Sequence, residues 1–155
     1  VEMYVALAGK DEGDSWQAKM YMVINISGRQ RMLTQKMTKE LLLIVNGLDP
    51  EGNRAMLKKT VDLFDRSLEA LLEGSGELGV SGTRDGALRN QLGTVKGLWS
   101  RYRPILDAVV QNGAGGIQSG DLEKVAQINL HLLGEVNMAV KMVEYMAAKK
   151  EPAER

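Results

Sequence analysis

The sequence predicts an all-α protein folded as an up-down-up-down antiparallel four-helix bundle, and three observations predict it. Glycine-rich stretches, NGLDPEG at 46–52, GSGELGVSG at 74–82 and NGAGGIQSG at 112–120, cut the chain of 155 residues into four segments. Within the segments, apolar residues recur at alternating steps of three and four, the period of one face of a helix. The composition, 44% hydrophobic with nine Met but only one Phe, suits the packing of helices.

The first helix is expected to start near Asp14 or Ser15, either of which can cap it, and to run to Asn46 before Gly47 ends it. At 1.5 Å per residue that is about 45–50 Å. Pro50 suits the first turn of the second helix, whose stripe is Leu57, Val61, Phe64, Leu68 and Leu71. The third carries Leu88, Leu92, Val95, Trp99, Tyr102, Leu106 and Val109, with Pro104 expected to bend it. The fourth carries Leu122, Val125, Asn129, Leu132, Val136, Ala139, Val143 and Met146, one polar residue in an otherwise apolar row. Long helices with short connections pack most simply in antiparallel order, and an even number returns both termini to one end. The expected division is a lead-in at 1–13, the bundle at 14–149 and a polar tail at 150–155.

Bulk properties exclude several functions. Twenty Lys plus Arg balance twenty Asp plus Glu, so no general electrostatic attraction to nucleic acid exists and any basic function is local. Cysteine is absent, and with His131 as the one histidine no Cys-His, paired-His or di-iron Glu-x-x-His site can be built. The expectation is therefore no enzyme, no cofactor and no metal. His131 reads as a surface or boundary residue, Trp99 and Tyr102 as packing, and Met32, Met37, Met138 and Met142 as core or interface filler. No stretch approaches the roughly 20 uninterrupted apolar residues of a membrane span, and VEMYVALAGK lacks a signal-peptide pattern. The chain is expected to be either a complete mature protein or an excised ectodomain.

The first helix has two faces to account for. One stripe, Ile26, Gln30, Leu33, Met37, Leu41 and Ile44, is enough to enter the core. A second, Ile24, Gly28, Arg31, Gln35, Thr38, Leu42 and Val45, is apolar at both ends and polar in its middle. A helix-interior glycine costs about 1 kcal/mol relative to alanine, a cost understood if another backbone or a ligand approaches Gly28 closely. If a second copy covers this face about a twofold axis, Arg31 meets its twin, and two guanidiniums attract only through an anion between them. The alternative is that Arg29, Arg31 and Lys36 are solvated cations, or that Arg31 pairs with a carboxylate of another helix.

The stretch INISGRQRMLTQKM, Ile24 to Met37, resembles the signature of the PilJ-type sensor domain, the extracytoplasmic N-terminal module of type IV pilus methyl-accepting chemotaxis transducers. Asn25, Gly28, Arg29, Gln30, Arg31, Met32, Leu33, Thr34, Gln35 and Lys36 fill the places of its motif. Phe64, Leu68 and Gly74, Trp99, and LLGEVNMAVKM near the end resemble the family more loosely, so the likeness covers about residues 15–148. The module is similar in turn to the sensor domain of nitrate/nitrite-responsive histidine kinases. That resemblance implies a homodimer with one nitrate at its twofold axis, bound by an arginine from each first helix. Aligning on Arg31 and Met32 gives Arg31 this role. Arg29 has no counterpart in the kinase motif, and either supports the site or does something else. Lys36 stands where an arginine is usual, keeping the charge but not the planar fork. Asn25 and Gln35 add hydrogen bonds or set the helix packing.

A transducer would continue from the fourth helix into a membrane span, whereas AAKKEPAER is polar, so the chain is expected to be cut there or to be a stand-alone sensor. Two functions follow. In one, a small anion, with nitrate or nitrite favoured, binds between protomers, and helices one and four shift axially toward an associated output module. In the other, the bundle recognises a protein such as a pilus subunit, with the Gly-Arg-Gln-Arg face as dimer seam only.

Overall fold

The computed structural model describes residues 12–153, and the side chains of residues 16–149. The described residues form four long helices: α1 Glu12–Val45, α2 Pro50–Glu73, α3 Gly86–Asn112 and α4 Asp121–Ala153, with a 3-10 turn Gly113–Gly116 after α3. The expected all-α four-helix bundle is the fold observed. Helix α1 is already helical at Glu12, slightly before the expected start. The side chains of Asp14 and Ser15, like residues 1–11 and 154–155, lie outside the described residues.

Neighbouring helices run antiparallel around a square, with α4 returning to pack on α1 and α1 nearly diagonal to α3. Helix α2 starts as its sequence requires: Asp49 accepts a hydrogen bond from Gly52 N at 3.3 Å and Pro50 occupies the first turn. Asp85 caps α3 in the same way, accepting from Leu88 N at 2.9 Å. Helix α3 does not break at Pro104.

The three stripes expected on α1, α2 and α3 are buried in full, with Met37, Leu41, Leu57, Phe64, Tyr102, Leu106 and Val109 wholly inaccessible. Phe64 and Trp99 stack at 4.5 Å between ring centroids, and Tyr102 meets Trp99 edge-on at 6.4 Å. On α4 the stripe fails at one end. Leu122, in the first turn of α4, is 42% exposed, and burial on this helix begins at Val125. Val80, from the 74–82 loop, is buried in the core instead of sitting at the surface. Here the glycines are required sterically: a Cβ on Gly74 or Gly82 would fall 2.8 Å from Ser81 or 2.7 Å from Glu73 backbone, and both residues have positive φ.

Candidate functional site

Polar residues tie α1 to the helices on either side of it, and the ties separate the cations of the first helix. Lys36 faces α2. Its Nζ lies 2.6 Å from Glu40 Oε2 and 3.1 Å from Thr60 Oγ1, and Thr60 also donates to Glu40 Oε1 at 2.7 Å. The Glu40 carboxylate is buried, so Lys36 and Thr60 supply the charge and hydrogen bonds that its desolvation demands. Gln30, in the core stripe, donates to the Phe64 carbonyl at 3.3 Å, while its Oε1 is buried without a donor.

Arg31 faces α4. At about 100° per residue, Lys36 stands about 140° and Arg29 about 160° around the helix from it. Arg31 is exposed, and its Nη1 donates to Asn137 Oδ1 at 3.3 Å. Among the described residues no carboxylate lies within 4.0 Å of its guanidinium, so the pairing with an acid of another helix does not occur among them. Lysine and arginine side chains elsewhere, including Lys36, Arg54, Arg89 and Arg103, do have acidic partners.

Gly28 and Gln35 lie on the same flank of α1 as Arg31, within about 60° by helical spacing. A Cβ on Gly28 would meet nothing within 4 Å, so the chain itself gives no steric reason for glycine there. Gln35 is exposed and lines a shallow groove of about 360 Å³ with Thr38, Lys39, Leu42, Leu43 and Asn46. Asn25 is exposed and lies about 120° from Arg31. Of the six residues picked out from the motif, helical spacing thus gathers Gly28, Arg31 and Gln35 on one flank, with Arg29 and Lys36 on the other and Asn25 next to Lys36, at that flank's exposed edge.

Two turns along from Arg31 the α1–α4 seam is closed by a half-buried cluster, anchored on buried Tyr102, that sequence reading missed. Thr38 Oγ1 donates to Asn129 Oδ1 at 2.9 Å or to the Thr34 carbonyl at 3.2 Å. Its single hydrogen being used, the Tyr102 hydroxyl is the donor to Thr38. Burial pushes the Tyr102 hydroxyl up to about 12, the Thr38 hydrogen bond pulling the other way. Asn129, the one polar residue in the α4 rhythm, was the available signal.

The outward faces of α1 and α4 also carry exposed apolar side chains: Met32 and Leu42 on α1, Leu130, Met138 and Tyr145 on α4. A larger cavity than this groove lies elsewhere, at the end of the bundle where α1 begins and α4 ends. It is an open cleft of about 880 Å³ lined by Trp16, Met20, Met142, Tyr145 and Lys149 among others, far too broad and apolar to grip a small anion. Among the described residues no group of three or more His, Asp or Glu side chains is placed to hold a metal ion, and no helix is long and apolar enough to cross a membrane.

Residues 15–124 match the PilJ family, described as the N-terminal region of type IV pili methyl-accepting chemotaxis transducers. The chain belongs to this family. The PilJ domain is 35% identical over 124 residues to methyl-accepting chemotaxis protein McpN of Pseudomonas aeruginosa, covering 80% of this chain and 22% of McpN. It thus spans well under two thirds of that relative's length. Its structure is similar to the ligand binding domain of the P. aeruginosa nitrate receptor McpN, with a TM-score of 0.69 and 35% identity over 81% of this chain and 96% of that domain. These relatives are chemoreceptor domains, which sense and signal instead of catalysing.

Proposed function

We propose that this PilJ domain is the extracytoplasmic sensor of a bacterial signal-transduction protein. Two copies bind one small planar oxyanion, nitrate or nitrite, between the Arg31 side chains of their first helices. The observation that carries this is Arg31, a guanidinium on an exposed helix face whose only side-chain partner among the described residues is a neutral amide. Two such groups meeting across a twofold axis repel one another until an oxyanion lies between them, accepting N–H forks from both sides. Exposed Met32, Leu42 and Met138 beside it give a second copy apolar surface to cover, and Gly28 leaves its backbone open to close approach. The likeness to the ligand binding domain of a nitrate receptor makes nitrate the first ligand to test.

Within this reading the motif divides its labour. Arg31 holds the anion, while Gln35 and Asn25 rim the seam between copies. Lys36 neutralises buried Glu40 and keeps α1 on α2, and Arg29 shares that flank. A bound anion that favours one relative position of α1 and α4 shifts them axially, and about 1–2 Å is enough to alter an attached output module.

Isothermal titration of nitrate into the purified domain tests the proposal. Wild type binds, Arg31→Ala does not, and nitrate raises the dimer fraction of wild type only. A wild-type domain that binds neither nitrate nor nitrite turns the reading to its rival, a bundle whose partner is a protein such as a pilus subunit.

A further inference from the structure

We infer that Asn137, on α4, is a second ligand-binding residue of the anion site: its carboxamide oxygen orients the Arg31 guanidinium and its N–H groups bind the same oxyanion. The inference rests on the reading of Arg31 given above and extends it to a helix that the first-helix motif does not include.

The geometry starts from an asymmetry in the two side chains. A guanidinium only donates hydrogen bonds, whereas a carboxamide has one accepting and one donating end. Arg31 Nη1 lies 3.3 Å from Asn137 Oδ1, so the arginine fixes which end of the amide faces it. Nδ2, bonded to the same carbon as Oδ1, therefore presents its two N–H groups beside the edge of the guanidinium. No acceptor for them is found among the described residues, nor for the remaining N–H groups of Arg31. The half-buried Asn137 and the exposed Arg31 together form a patch of hydrogen-bond donors carrying one uncompensated positive charge.

Amide chemistry suits such a site better than the alternatives. An aspartate at 137 would occupy the guanidinium and repel an incoming anion. An apolar residue would leave the long arginine side chain free to turn away. An asparagine holds the arginine without neutralising it. A planar oxyanion has separate oxygens for a guanidinium and for an amide, while a halide offers no such set of directed acceptors, so the pair selects oxyanions over chloride.

The placement of Asn137 is fixed from below. Thr38 and Asn129 are hydrogen-bonded at 2.9 Å in the seam, seven residues along α1 from Arg31 and eight back along α4 from Asn137. Two turns of each antiparallel helix separate the two contacts, so the half-buried pair sets the register that brings Asn137 to Arg31.

Calorimetric titration with sodium nitrate, alongside unfolding of the ligand-free proteins, compares wild type with Asn137→Ala, Asn137→Asp and Arg31→Ala. Asn137→Ala weakens nitrate binding about tenfold or more, the worth of a hydrogen bond to a charged group, and lowers the preference for nitrate over chloride. Asn137→Asp, nearly identical in shape and still an acceptor for Arg31, weakens it further while leaving ligand-free stability equal or higher. A merely structural asparagine predicts the opposite order, with aspartate tolerated and alanine altering ligand-free stability. Wild-type affinity in both Asn137 variants, with binding abolished by Arg31→Ala, overturns the inference and leaves Arg31 acting without α4. Wild-type affinity in Arg31→Ala overturns the reading of the site itself.

Discussion

Lys36 and Glu40 stand one helical turn apart on α1 with Nζ 2.6 Å from Oε2, and Thr60 of α2 completes the carboxylate at 2.7 Å. The pair explains why a basic residue belongs at this point of the motif without assigning it to a ligand. Removing one partner of a buried pair costs about 3–5 kcal/mol, less where one side keeps contact with water. The Lys36 side chain is 29% exposed. Lys36→Met is therefore expected to lower stability by about 2 kcal/mol in urea unfolding, with the nitrate-induced stabilisation unchanged. Adding Glu40→Leu should recover much of the loss, since no buried charge is then left unpaired.

Tyr102 makes alkaline stability a readout of the seam cluster. An unfolded tyrosine ionises near 10.0, whereas the folded one keeps its proton up to about 12. Between these values the folded state binds the extra proton. Stability is intact below pH 10 and falls as pH rises toward 12, by roughly 2–3 kcal/mol in all. Tyr102→Phe should cost about 1 kcal/mol at neutral pH through the lost hydrogen bond to Thr38, and its stability should decline less steeply over the same alkaline range. Equal slopes would place the ionisation elsewhere.

Gly28 and Gly82 are expected to respond to alanine with opposite signs. A Cβ on Gly82 would meet backbone at 2.7 Å with φ at +82°, so Gly82→Ala should destabilise the loop by about 2 kcal/mol or more. A Cβ on Gly28 has open space within the protomer, and Gly28→Ala should stabilise the monomer by about 1 kcal/mol through helix propensity. If a second copy approaches there, the same change weakens nitrate-dependent dimerisation in sedimentation experiments. Unchanged dimerisation would move the close contact away from Gly28.

What was legible in the sequence follows from the reach of each signal. Burial of Leu57 to Leu71 and of Leu88 to Val109 was readable residue by residue because helical period is local and one face must be covered. Leu122 obeys the same period yet is exposed, since periodicity does not say where the neighbouring helices stop. The Lys36–Glu40 spacing was in plain view, but its importance depends on Thr60 and on burial, which come from α2. Arg31 to Asn137 spans 106 residues, and Trp99 Nε1 to Asp65 Oδ1, at 2.9 Å, spans 34. No pattern within one helix specifies contacts of this kind. Motif likeness picked out Arg31 and Lys36 together; helical spacing puts them on different flanks, and only the fold shows which neighbour each one meets.

Thermal unfolding of the domain in millimolar sodium nitrate against sodium chloride of equal ionic strength tests the central claim most directly. A ligand at a hundredfold excess over its Kd stabilises the native state by about 2.7 kcal/mol, a rise of several degrees in Tm for a domain of this size. The account predicts that rise in nitrate for wild type and its loss in Arg31→Ala. An equal Tm in the two salts at saturating nitrate, or a nitrate effect that survives Arg31→Ala, would contradict it.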